Sequence, residues 1–254
     1  MIAFDHDQTA YDLNFRVGSI HVRVHPFFWI TCALLGWPYS QPPHGNFGFL
    51  ILWIACCFIS VLLHELGHVW MGMAFGTHGH IVLWSFGGVA VGSNSLAARW
   101  KRIMVSLAGP GIQLVFWVIL WFVEPWVLGA VSEDWLLPVS TFLGMLLAIN
   151  LFWPLINLLP IWPLDGGMVT RELCVAASPR KGVEISLLIS IGVSGVLALH
   201  CLMNANGQPL IPFLWWVGGT FLGIWLAMDC VQSVLLYQQE RSRYRSDDDL
   251  PWER

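Results

Sequence analysis

Residues 47–75 read FGFLILWIACCFISVLLHELGHVWMGMAF, and this stretch decides the fold. Between Arg23 and Glu65 there is no Asp, Glu, Lys or Arg, so His64-Glu65-Leu66-Gly67-His68 arrives at the end of a long apolar run. A run of that length crosses a bilayer as a helix. On a helix, the i and i+4 spacing puts His64 and His68 on one face, one turn apart, where two imidazoles reach the same metal. Glu65 sits beside them, placed to act on a metal-bound water instead of on the metal. In a soluble amphipathic helix the pattern would often be only a solvated face. Two His and a Glu in lipid are expensive, so here they make a functional statement. The reading is a hydrolytic metal site at membrane depth.

Composition widens that reading to the whole chain. Its 254 residues are 56% hydrophobic and 11% charged, with 16 Trp, and the mean hydropathy is +0.65. This excludes an ordinary soluble domain and a disordered chain. Apolar segments long enough to span occur near 27–39, 47–76, 103–123, 136–163, 185–203 and 210–238. The first is short and interrupted by Gly36 and Pro38. The expected fold is an α-helical polytopic membrane protein of about six transmembrane helices. To these it adds a short N-terminal β segment and a membrane-dipping β-hairpin after the HExxH helix.

Basic residues set the orientation. Arg16 and Arg23 precede the first segment, and Arg99, Lys101 and Arg102 lie between the second and third. Arg171, Arg180 and Lys181 lie between the fourth and fifth, and Arg241, Arg243, Arg245 and Arg254 follow the sixth. All 12 Lys and Arg thus fall on one side of a six-span arrangement. The positive-inside rule then makes both termini cytoplasmic, with the metal site toward that face of a membrane, here expected to be a bacterial cell membrane. No basic patch for nucleic acid and no signal peptide are evident. The six Cys show neither CxxC spacing nor a disulfide framework and read as packing residues.

Along the chain, residues 1–12 read as an acidic disordered lead, 13–240 as one membrane domain and 241–254 as a polar cytoplasmic tail. Residues 13–25 alternate around Gly18-Ser19, a hairpin pattern. A second strand pattern runs from His80 to Val91 with its break at Gly87-Gly88, too short and Gly-rich to span. The fourth span is interrupted by Pro160 and Pro163, and Gly166-Gly167 frees the backbone after Asp165. Asp165 closes a run without charges from Asp134 onward, and it approaches the same side as His64 and His68. It is the outstanding candidate for a third ligand beside one open position for water.

These residues resemble the site-2 protease family of intramembrane zinc metalloproteases. The likeness rests on His64 to His68, the NxxPxxPLDG run from Asn157 to Gly166, and the Gly-rich hairpin between them. It extends to the Ala108-Gly109-Pro110-Gly111 turn and the strand-like lead before Pro26-Phe27-Phe28, covering roughly 13–240. The resemblance implies one Zn2+ per chain on His64, His68 and Asp165, with Glu65 as catalytic base. It further implies that Asn157 contacts the substrate backbone near the metal. The Ser85 to Val91 hairpin, with Ser85, Phe86, Gly87 and Gly88, would take an unwound substrate by strand addition. Gln113 departs from the Asn many relatives carry after the AGP turn. The chain looks like a compact, sporulation-protease-like member without a PDZ or CBS domain.

The expected activity is hydrolysis of peptide bonds within or near transmembrane segments, in regulated intramembrane proteolysis. Expected partners are a transmembrane-helix protein substrate, a separate membrane regulator and membrane lipid. The alternatives are a catalytically silent relative that binds membrane helices and a metal-ion transporter. Transporters usually distribute ligands over several helices and often show internal repeats, and no repeat is visible. Asp229, within the sixth span, reads either as a paired or gating acid or as one hydrated by headgroup water. His78 and His80 flank the hairpin and read as loop histidines.

Overall fold

The computed structural model describes residues 9–41, 45–85, 87–211 and 219–248. Residues 1–8 of the acidic lead, Phe86, and residues 249–254 of the tail lie outside the described residues. The chain divides into two compact units, Met1–Leu155 and Ile156–Arg254.

In the first unit, β1 (Leu13–Val17) and β2 (Ile20–Val24) form an antiparallel hairpin that pairs Val17 with Ile20. That register leaves two residues for the turn, and Gly18 supplies the required positive φ of 59°. Helix α1 (Pro26–Leu35) follows at once, with Pro26 in its first turn and the His25 side chain accepting from the Phe27 N–H. A 3-10 turn (Trp37–Ser40) leads toward α2 (Phe47–Ala74), capped by the Asn46 side chain on the Phe49 N–H.

After α2 come β3 (His80–Trp84) and β4 (Gly87–Val91), again an antiparallel pair. The two hairpins are not separate. β2 pairs in parallel with β3, giving one four-stranded sheet in the order β1-β2-β3-β4. Parallel strands need a long crossover, and here it contains α1 and α2. The connection therefore lays the HExxH helix on the sheet, where Ile20, Val22, Val24, Ile81 and Leu83 share a core with Val61, Leu66 and Val69 of α2. The turn of the second hairpin also differs from the sequence reading. It lies at Ser85, whose φ is 41°, and Gly87-Gly88 open the strand β4.

Helix α3 (Arg99–Ala130) runs unbroken through Ala108-Gly109-Pro110-Gly111, where a turn was expected. Pro110 removes one backbone donor, and the helix continues because the bonds on either side hold it. α2 and α3 meet closely at this point: a Cβ on Gly67 would lie 2.7 Å from the Ala108 carbonyl oxygen. α4 (Glu133–Asn157) closes the unit and passes into the next.

The second unit begins at the end of α4 and breaks at Leu158–Leu164. α5 (Asp165–Ala177) then starts at Asp165 itself. Gly166-Gly167 are helical, not a freed backbone. Their lack of side chains lets the break fold onto the helix, since a Cβ on Gly166 would collide with the Leu158 carbonyl and one on Gly167 with that of Ile161. α6 (Gly182–Ala205) and α7 (Thr220–Asp248) complete the unit around Ile161, Leu164, Ala198, Cys201 and Leu226.

Among the described residues, five helices are long and apolar enough to cross a membrane: 47–74, 99–130, 133–157, 182–205 and 220–242. The first expected span is the ten-residue α1, about 15 Å long and half the hydrocarbon thickness.

Candidate metal centre

Six consecutive residues of α2, His64 to Val69, are buried, so the helix is enclosed at the motif. His64 is 3% exposed, Glu65 4% and His68 7%. The imidazoles stand at 79° to one another with ring centroids 4.7 Å apart.

Their protonation follows from their neighbours. His68 Nδ1 lies 2.7 Å from the Val105 carbonyl oxygen of α3, which only accepts, so that nitrogen carries the hydrogen. His64 Nδ1 lies 2.9 Å from Gln113 Oε1. The orientation of that amide is fixed because Nε2 donates to the Ser60 carbonyl at 3.0 Å. Both rings are therefore Nδ1–H tautomers, and each Nε2 carries the lone pair that can ligate a metal. The two Nε2 atoms face each other at 3.1 Å. Such a contact repels unless a cation or a shared proton lies against both.

Two nitrogens on one tetrahedral zinc at about 2.0–2.1 Å stand about 3.3 Å apart, so the spacing fits that ion. His64 and His68 of the first unit and Asp165, which begins α5 of the second, are the candidate ligands, each offering one ligand atom. Two imidazoles and a carboxylate are the N and O donors that catalytic zinc takes, with a position left for water.

Gly109 of α3 makes room for this pair. A Cβ there would collide with His68 Nε2 and lie 2.9 Å from His64 Nε2. Gly88 of β4 does the same for Glu65: its Cβ would collide with Glu65 Cγ and lie 2.7 Å from Cδ. β4 is an outer strand of the sheet, so the sheet's edge runs beside the glutamate.

The other sequence candidates fall as follows. Ser85 occupies the hairpin turn with its Oγ 3.5 Å from Thr31 Oγ. Gly87 lies on β4, where a Cβ would meet nothing closer than Trp153 at 3.8 Å. Asn157 is the last residue of α4, and Asp165 the first of α5. His78 and His80 are exposed, outside the metal-holding group. His200 of α6 is fully buried, with Nδ1 accepting from the Ile211 N–H at 3.1 Å. Sequence reasoning missed what Gly109, the Val105 carbonyl and Gln113 do for the histidines. The signal for Gln113 was a side-chain amide in the middle of an otherwise largely apolar span.

Residues 129–199 match peptidase family M50. A Synechocystis sp. protein, named provisionally as a zinc metalloprotease, is 31% identical over 72% of this chain and 53% of its own length. Stage IV sporulation protein FB of Bacillus subtilis is 33% identical over 66% of this chain and 54% of its own. The fold matches the site-2 protease from Methanocaldococcus jannaschii with a TM-score of 0.60, at 20% identity, over 88% of this chain and 95% of that one. The likeness to peptidase family M50 thus lies in residues 129–199, and the fold is that of a site-2 protease. The chain spans about half the length of these curated relatives. With five apolar helices and this fold, it is an integral membrane protein.

Proposed function

We propose that this chain is an intramembrane zinc metalloprotease that hydrolyses peptide bonds within or near transmembrane segments of membrane-protein substrates, in regulated intramembrane proteolysis. One observation carries the reading: two histidines with Nε2 atoms 3.1 Å apart stand beside a buried Glu65 that the edge strand β4 approaches at Gly88. Zinc held by His64, His68 and Asp165 would lower the pKa of its bound water to about 7 and polarise the scissile carbonyl. Glu65 accepts the proton of the attacking water and passes it to the leaving amine. Asn157 donates to the developing oxyanion.

A transmembrane helix hides its peptide bonds in its own hydrogen bonds, so the substrate must unwind. The outward N–H and C=O groups of β4 replace those bonds when an extended segment adds to the edge. Gly88 then brings that segment to Glu65. The arrangement of Lys and Arg supports cytoplasmic termini and a site toward the cytoplasmic face. A separate membrane regulator acting on substrate access fits the same reading.

The test is reconstitution of purified wild type and Glu65→Gln with a single-span model substrate, scoring product masses and zinc per chain. Wild type should hold one zinc and cut inside the apolar segment. Glu65→Gln should keep the zinc and lose about 10²–10⁴-fold in rate. Normal turnover by Glu65→Gln sinks the base assignment, and folded wild type without zinc sinks the enzyme reading.

A further inference from the structure

Asp229 is a charged group that the metal centre does not use. It lies on α7, inside the membrane-length stretch 220–242, about 14 Å from one end and about 20 Å from the other. It is 6% exposed, and its Oδ2 is buried with no hydrogen-bond partner among the described residues. A carboxylate buried without a donor is strongly disfavoured, and an acid at membrane depth is by default functional.

The helices fix what it faces. The buried side of α7 carries Gly223, Leu226, Asp229 and Ser233. Opposite runs a stripe of small residues on α6: Gly182, Ser186, Ser190, Ser194 and Ala198. Ser190 Oγ lies 2.8 Å from Ser233 Oγ. Cys230 Sγ donates to the Ile191 carbonyl at 3.6 Å, and a Cβ on Gly195 would lie 3.6 Å from that sulfur. The turn holding Asp229 is therefore level with residues 191–195 of α6, where Ser194 is fully buried.

These neighbours offer lone pairs. Ser194 commits its hydroxyl hydrogen to the Ser190 carbonyl at 2.6 Å. Ser190 Oγ accepts from the Trp162 N–H at 2.9 Å while sharing a hydrogen with Ser233. Neither α6 nor residues 220–240 of α7 contain a Lys or Arg. Glu184, in the first turn of α6, is about 15 Å away along the helix.

We propose that the Asp229 carboxylate, with the oxygens of Ser190 and Ser194, forms a buried site for a small monovalent cation of the sodium class between α6 and α7. The donors are all hard oxygens, which suit alkali and alkaline-earth ions over soft metals. One carboxylate neutralises one monovalent ion, whereas a divalent ion would leave a net charge in a low-dielectric interior. Bound there, the ion ties α6 to α7, which small residues already bring close. The inference goes beyond the peptide-hydrolysis reading and stands without it.

The test is thermal unfolding of the purified full chain in detergent, at fixed zinc content and ionic strength, in sodium, lithium, potassium or choline chloride. Ions that bind the folded state alone raise its midpoint in a saturable way. Sodium should raise the wild-type midpoint over choline, Asp229→Asn should abolish the difference, and Ser194→Ala should shift the half-saturating concentration upward several-fold. Equal wild-type midpoints in sodium and choline overturn the site, as a protonated carboxyl or a trapped water would produce. A sodium effect that survives in Asp229→Asn also overturns it. The wild-type comparison alone decides, whether or not the variants fold.

Discussion

Gln113 Oε1 lies 2.9 Å from His64 Nδ1 while the same amide donates to the Ser60 carbonyl, one turn back on the helix that carries the histidine. The side chain thus ties α3 to α2 and leaves His64 only one tautomer. A ligand whose tautomer is preset loses less on binding metal, and such outer partners are worth about 10–100-fold in affinity. Gln113→Leu keeps the volume roughly and removes both hydrogen bonds. It should weaken zinc binding by at least about tenfold, measured by competition with a chromogenic chelator. Unchanged affinity in a folded variant would show that His64 needs no such support.

Glycines test the packing against the histidines. A Cβ at Gly109 collides with His68 Nε2, whereas one at Gly111, on the same helix, meets nothing within 4 Å. Overpacking a buried contact costs about 1–3 kcal/mol, and here the strain falls on a metal-facing atom. Gly109→Ala should therefore lose zinc, and Gly111→Ala should keep both zinc and unfolding temperature. Metal analysis of the two purified proteins side by side checks it. Equal zinc content would mean that the rings relax freely around a methyl group.

Much of this centre is legible in the chain, but unevenly. The spacing of His64, Glu65 and His68 and the hairpin at Gly18-Ser19 are local signals, so they could be read directly. The parallel pairing of Val22 with Ile81 is not local. It has no turn to announce it, which is why two hairpins were read and one sheet was found. Ala108 to Gly111 looked like a turn because Gly and Pro usually punctuate. Membrane helices tolerate both, and the small residues serve the close approach of α2 and α3. Gln113 stood out in composition, but only its contacts show what it holds.

Gly88 separates positioning of the base from metal binding. A methyl group there meets Glu65 Cγ and Cδ and the Leu83 side chain, while one at Gly87 finds its nearest atom at 3.8 Å. Glu65 is flexible enough to move aside, so the sheet should survive and the carboxylate should be displaced. Gly88→Ala is expected to retain zinc and lose about 10²-fold in cleavage rate, the low end for removal of a general base. Gly87→Ala should stay within a few-fold of wild type. Zinc content and turnover of a model transmembrane substrate, measured on the same preparations, check both. Loss of zinc in Gly88→Ala would instead place the effect on the fold.

The last prediction concerns the second unit, where Asp165 begins α5 directly after a break containing Pro160 and Pro163. A Cβ on Gly166 would strike the Leu158 carbonyl and lie 2.5 Å from the Leu159 oxygen, both backbone atoms. Backbone cannot rotate away as a side chain can, so the break and the first turn of α5 must separate. Thr170 Oγ1, which donates to the Gly166 carbonyl, would move with them. Gly166→Ala should destabilise by about 1–3 kcal/mol or more and shift the adjoining Asp165 carboxylate. Gly192→Ala, on α6 with nothing within 4 Å, should be neutral in both respects. Unfolding temperature and zinc affinity should therefore fall together in Gly166→Ala. A lowered unfolding temperature with full zinc affinity would uncouple the break from the metal and point to a third ligand other than Asp165.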